Sequence, residues 1–177
     1  MAHILYTALL LCVVGAASGV SGQTSEEVAI GGQLREATIR GLNGPTRNLT
    51  EFLGRPLVIN VWASWCGPCR AEMASLERLA WLDESGDLTV IGISTDDYAD
   101  RAMDALTKSN ATISHFIDVN LVMEKMLGAS RLPLTVLVAP DGRVLEKVYG
   151  AREWDSPAAL ALIDKAFRSR SKDTPAR

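Results

Sequence analysis

Over 177 residues the chain carries only three cysteines and two histidines. A disulfide-stapled scaffold needs far more cysteine in a shorter chain, so that class is excluded. A structural zinc site is short of ligands as well. Past the N-terminal segment only His115 could join Cys66 and Cys69. Basic charge is equally scarce: Lys and Arg number 18 against 21 Asp and Glu, a net charge of −3. No cationic cluster of the kind needed to bind nucleic acid or an acidic surface is visible. Internal repeats and low-complexity tracts are also missing. What remains is a hydrophobic share of 47% and a charged share of 22%, ordinary for a globular protein of one domain.

The N-terminus reads as an address. Ile4 to Ala17 is an apolar run, shorter than the ~20 residues of a comfortable membrane span. Small residues follow, from Ala16 to Gly22, and suit a signal peptidase. Residues 1–22 are therefore read as a signal peptide or a membrane anchor. Cys12 has Leu11 before it rather than a small residue, and reads as an apolar position of this leader.

Residues 23–36 are polar and Gly-containing and read as a linker. The folded domain is expected over 37–168, with a disordered tail over 169–177. Ala37 to Arg40 is a strand candidate, and Gly41-Leu42-Asn43-Gly44-Pro45 a turn, giving an N-terminal hairpin. Asn48 to Glu51 carries the signature of a capped helical turn ended by Gly54. Pro56 to Trp62 is a nearly unbroken β-branched apolar run, the pattern of a strand buried on both faces. Leu88 to Ile93 and Thr135 to Ala139 repeat that pattern. Helical spacing runs through Cys69, Met73, Leu76 and Ala80, and through Tyr98, Ala102, Met103 and Leu106. Ile113 to Ile117 is a short strand and Leu121 to Leu127 a short helix. Pro140 to Arg143 turns the chain into a returning strand, Val144 to Tyr149. Ser156 caps a last helix with Pro157 in its first turn. Strands alternating with helices imply parallel pairing, and the closing hairpin adds antiparallel strands. The fold class is α/β, with a mixed sheet flanked by helices.

The chemistry concentrates in Trp62-Ala63-Ser64-Trp65-Cys66-Gly67-Pro68-Cys69-Arg70. This stretch leaves a buried strand and enters a helix. A thiol attacks only as its thiolate, and the positive end of a helix favours that anion. Cys66 is thus expected to titrate below an ordinary thiol. Cys69, three residues on, falls one turn below on the same side. Trp62, at the strand end, reads as core.

The run NVWASWCGPCRAEM resembles the thioredoxin superfamily, and within it the exported TlpA-like and ResA-like disulfide reductases. The likeness extends from about Ala37 to Phe167 and is also carried by LPLTVLVAPDGRV and GAREWDSPAAL. It implies a thioredoxin fold with a βα insert before the cis-proline strand. It implies Cys66 as nucleophile, Cys69 as resolving thiol, and Trp65, Gly67 and Pro68 as substrate-binding residues beside them. Pro133 matches the cis-proline, with Leu132 offering its backbone to an extended substrate. Glu72 matches an acid that assists proton transfer at the buried cysteine, the alternative being a solvated helix charge. Asn60 stands where cytosolic thioredoxins place a buried Asp. Ala74 stands where many members have a helix-kinking proline.

The activity so implied is reduction of protein disulfides, in cytochrome c or in copper-site proteins of cytochrome oxidase, in the periplasm or otherwise outside the cytoplasm. Electrons would come from a membrane thiol reductant, with no cofactor and no metal. Two alternatives stay open at this point: a dithiol oxidase, and a copper-binding chaperone using both thiols.

Overall fold

The computed structural model describes residues 27–82 and 87–171. The leader therefore lies outside the described residues, as does the chain after 171. Among the described residues no helix is long and apolar enough to cross a membrane.

Seven strands form one mixed sheet. In chain order the elements are β1 (Thr38–Gly41), β2 (Arg47–Asn48), a 3₁₀ turn (Leu49–Phe52), β3 (Leu57–Trp62), α1 (Gly67–Leu82), β4 (Thr89–Ser94) and α2 (Ala99–Lys108), followed by β5 (Ser114–Ile117), α3 (Val122–Leu127), β6 (Leu134–Val138), β7 (Val144–Tyr149) and α4 (Pro157–Ser171). The strand order is β2-β1-β5-β4-β3-β6-β7. β3 pairs in parallel with β4, and β4 with β5. β6 runs antiparallel between β3 and β7. This is the thioredoxin fold, with α2 and β5 as the insert and β1–β2 as the N-terminal hairpin. The 3₁₀ turn carries the expected capping box, Asn48 on the Thr50 N–H and Glu51 on the Asn48 N–H.

Alternation along β3 divides the core. Leu57, Ile59 and Val61 face α3 and pack with Met123, Met126 and Leu127. Val58 faces the other way, onto Leu76 and Leu79 of α1 and Ile163 of α4. Trp62, on that second side, packs with Cys66, Cys69 and Met73, and with Ala102 and Leu106 of α2. Trp62 is core, as its place at the strand end indicated. α1 runs without interruption from Gly67 to Leu82, with Ala74 inside it.

Two readings of the chain ends need correction. Residues 28–34, within the stretch read as a linker, are strapped onto the domain. Val28 and Leu34 are buried in the α3-side core. The Val28 N–H donates to the Met126 carbonyl, Gly31 to Val144, and Leu34 to Gly142. The physical reason is that two apolar side chains at the right spacing outweigh a polar composition, since burying each contributes roughly 1.5–3 kcal/mol. At the other end α4 continues to Ser171, into the stretch read as tail.

Candidate active site

β3 delivers the chain to the sheet's edge at Trp62, and a tight loop carries it into α1. Asp96 holds that loop. Its carboxylate accepts the Ser64 N–H at 2.8 Å and the Ser64 hydroxyl at 2.6 Å. The Ser94 hydroxyl donates to it at 2.7 Å. Asp96 is buried, and nothing in its local sequence marked it for this task. Arg70 donates to the Ser64 carbonyl from the helix side.

Cys66 and Cys69 are joined as a disulfide, with Cα atoms 5.3 Å apart. Gly67 and Pro68 form the exposed first turn of α1 between them. The Cys69 N–H points at the Cys66 sulfur across 3.2 Å. A free helix N–H thus stands where a sulfur anion at Cys66 would carry its charge. Cys69 is wholly covered, whereas Cys66 keeps a small window to solvent. Trp65 beside it is 71% exposed, so it is an outward-facing aromatic and not a core residue.

The Leu132–Pro133 peptide is cis. The Leu132 side chain packs against the cluster containing Trp62, Cys66 and Cys69. The Pro133 carbonyl accepts the Gly150 N–H. The Leu132 N–H and C=O have no partner among the described residues.

Glu72 is the departure from ordinary helix chemistry. It is 1% exposed, so the solvated-charge alternative falls. Its Oε1 accepts the Asn60 side-chain amide at 2.8 Å. Its Oε2 accepts the Arg152 N–H and the Trp154 indole N–H, each at 3.0 Å. Burial raises its proton affinity above the ordinary carboxylate value of 4.5, and the three donors pull the other way. Ser75, one turn on, takes the Trp154 N–H and donates to the Arg152 carbonyl, locking the same loop onto α1. The GAREWD run is thereby explained: its backbone and its tryptophan supply the donors that make a buried carboxylate tolerable.

His115, the one histidine past the N-terminal segment, is buried on β5 at 3% exposure. Its imidazole meets the Trp62 ring edge-on at 5.5 Å. Among the described residues no three His, Cys, Asp or Glu side chains come together to hold a metal ion.

The family described as Redoxin matches residues 30–163. Over 153 residues the chain is 24% identical to the thiol-disulfide oxidoreductase ResA of Bacillus cereus, covering 84% of this chain and 88% of that protein. It is 32% identical over 130 residues to the thiol:disulfide interchange protein DsbE of Pseudomonas aeruginosa, covering 68% and 70%. A crystal structure of a DsbE from Chlorobium tepidum superposes with a TM-score of 0.72 at 23% identity, over 78% of this chain and 98% of that one, and supports the fold.

Proposed function

Because this chain belongs to the Redoxin family and is a TlpA/ResA-like member of the thioredoxin superfamily, we propose that its thiol–disulfide oxidoreductase activity runs in the reducing direction, outside the cytoplasm. The observation that carries the reading is the asymmetric pair: Cys66 with a solvent window and a helix N–H, Cys69 sealed beneath it.

In the dithiol form, the Cys66 thiolate attacks one sulfur of a partner's disulfide. A Cys66–partner bond forms and the partner's other sulfur leaves as a thiolate. Cys69 then gives up its proton and attacks Cys66. The Cys66–Cys69 bond forms, the partner's second sulfur leaves, and two electrons have passed to the partner. We assign the Cys69 proton to Glu72. It lies one turn along the same helix, buried on the same side, with its proton affinity already raised. Trp65 offers an aromatic platform, Gly67 and Pro68 keep the rim low, and the unpaired Leu132 backbone beside Pro133 suits strand addition by an extended partner segment.

We further propose substrates among cytochrome c or oxidase copper-site proteins and a membrane thiol reductant as donor, both implied by the resemblance carried by NVWASWCGPCRAEM, and export through residues 1–22, implied by the apolar run Ile4 to Ala17. An equilibrium titration against glutathione tests the direction. The potential should fall nearer thioredoxin's ~ −270 mV than the oxidant DsbA's ~ −120 mV. A value near the latter makes the protein an oxidant. A reporter fused after Gln33 and active only outside the cytoplasm tests export.

A further inference from the structure

Four buried side-chain atoms lack a hydrogen-bond partner among the described residues: Asn60 Oδ1, Trp62 Nε1, and both ring nitrogens of His115. They are neighbours. Asn60 and His115 flank Gly92 in one cross-strand row of the sheet, Asn60 opposite Gly92 and Gly92 opposite His115. Trp62 is two residues along β3, on the same face, edge-on to the imidazole.

The glycine between them is occupied space. A Cβ at Gly92 would sit 2.1 Å from His115 Nδ1 and 2.4 Å from Cε1. The Nδ1–Cε1 edge of the ring therefore lies across β4, toward Asn60. From the other side, the Asn60 nitrogen is spent on Glu72 Oε1 at 2.8 Å and on Thr135 Oγ1 of β6 at 3.0 Å. With the amide nitrogen turned toward β6, its oxygen turns toward β4 and the imidazole edge.

An Asn amide presents a donor at one end and an acceptor at the other. Facing Glu72 with nitrogen, it stabilises the carboxylate. Flipped, it would place an oxygen there and favour the protonated acid. Thr135 cannot choose between the two, because a hydroxyl both donates and accepts. An ionised Glu72, which only accepts, selects the nitrogen; once Glu72 is protonated, a donor on the oxygen side is what keeps that orientation. We propose that His115 is a positioning residue for Glu72: with the Trp62 indole N–H, and through a buried water the three groups share, it supplies the donors that keep the Asn60 nitrogen on the carboxylate. Such a water makes about three bonds to otherwise unpaired buried groups. A neutral imidazole has one N–H to give, and burial keeps His115 neutral by pushing its proton affinity down to about 4.

The groups around Glu72 are themselves neutral: Asn60 and Thr135 from the sheet, the Arg152 N–H and Trp154 from the loop. Cys69 is the other titratable group that α1 buries, and His115 the one on β5. The role of this chain of contacts in turnover rests on Glu72 being the proton acceptor proposed above. The orientation of Asn60 is testable without that premise.

The test is the titration of the Glu72 carboxyl, followed by its ¹³C shift in the reduced protein. His115→Phe fills the same space without an N–H and should raise Glu72 proton affinity by about tenfold, one pH unit. His115→Gln restores an N–H and should return it toward wild type. An unchanged midpoint in folded His115→Phe overturns the proposal. So does, in the unsubstituted protein, a ring N–H at His115 that exchanges with solvent as fast as an exposed one, and this arm stands even if His115→Phe does not fold. Resolution kinetics of Glu72→Gln judge the proton-acceptor reading separately. If they match wild type, that reading fails while the Asn60 orientation is still decided by the titration.

Discussion

The indole N–H of Trp154 donates to Glu72 across 3.0 Å, though the two lie 82 residues apart in the chain. Trp154→Phe keeps a six-membered aromatic ring and removes the donor, along with the rest of the indole, at a fully buried site. Leaving that side of a buried carboxylate unserved should cost about 1–3 kcal/mol. Urea unfolding at pH 7 measures it, and a loss below ~0.5 kcal/mol would mean that water replaces the indole.

Glu72 itself should weaken the fold at high pH. Burial raises its proton affinity in the folded state above the unfolded value of 4.5. Its stabilising contribution is therefore complete below that pH and is lost as pH rises through the folded value. Glu72→Gln lacks this limb. The stability of the variant relative to wild type should climb as pH increases above 4.5, in a denaturation series from pH 4 to 8. A flat difference would place no titration at Glu72.

His115 works with the opposite sign. Its proton affinity falls from 6.5 to about 4 on folding, so the stability it contributes is present above pH 6.5 and is lost as pH drops toward 4. At roughly 1.4 kcal/mol per pH unit this amounts to ~3 kcal/mol. The same denaturation series on His115→Phe should show that much less acid sensitivity.

The order of attack has a direct chemical signature. Cys69→Ser cannot resolve a mixed disulfide and should accumulate a covalent adduct through Cys66 with a disulfide-bearing partner, visible by non-reducing electrophoresis. Cys66→Ser should accumulate none. Adducts through Cys69 would reverse the assigned roles, which its complete burial argues against.

Much of this was legible in the sequence, because the signals are local. The β-branched runs of β3, β4 and β6 mark strands buried on both faces, and a cysteine pair straddling a strand-to-helix boundary states its chemistry within ten residues. The features that escaped are those built from distant segments. Glu72 looks like any helix acid until residues 152–154 and Asn60 arrive around it. Asp96 reveals itself only through Ser64, 32 residues earlier. His115 has no motif, since what it faces is set by strand register rather than by neighbours in the chain. The strap over 28–34 has two apolar residues in a polar stretch, too few for a periodicity to emerge.

That strap also bears on how the molecule keeps to itself. β7 is an outer strand, and an outer strand with free N–H and C=O groups is a template for another sheet. Here Val144 spends both groups on the strap, taking the Gly31 N–H and giving its own to the Gly32 carbonyl, while Gln33 bridges to Arg143. Further along the same rim Lys147 reaches out to Glu27 at 2.6 Å. At the opposite rim β2 is only two residues long. Both rims of the sheet are thus blunted, at Val144 by the strap and at β2 by its shortness, and under the proposed strand addition a partner's extended segment would be directed to the open backbone at Leu132, beside the reactive sulfurs.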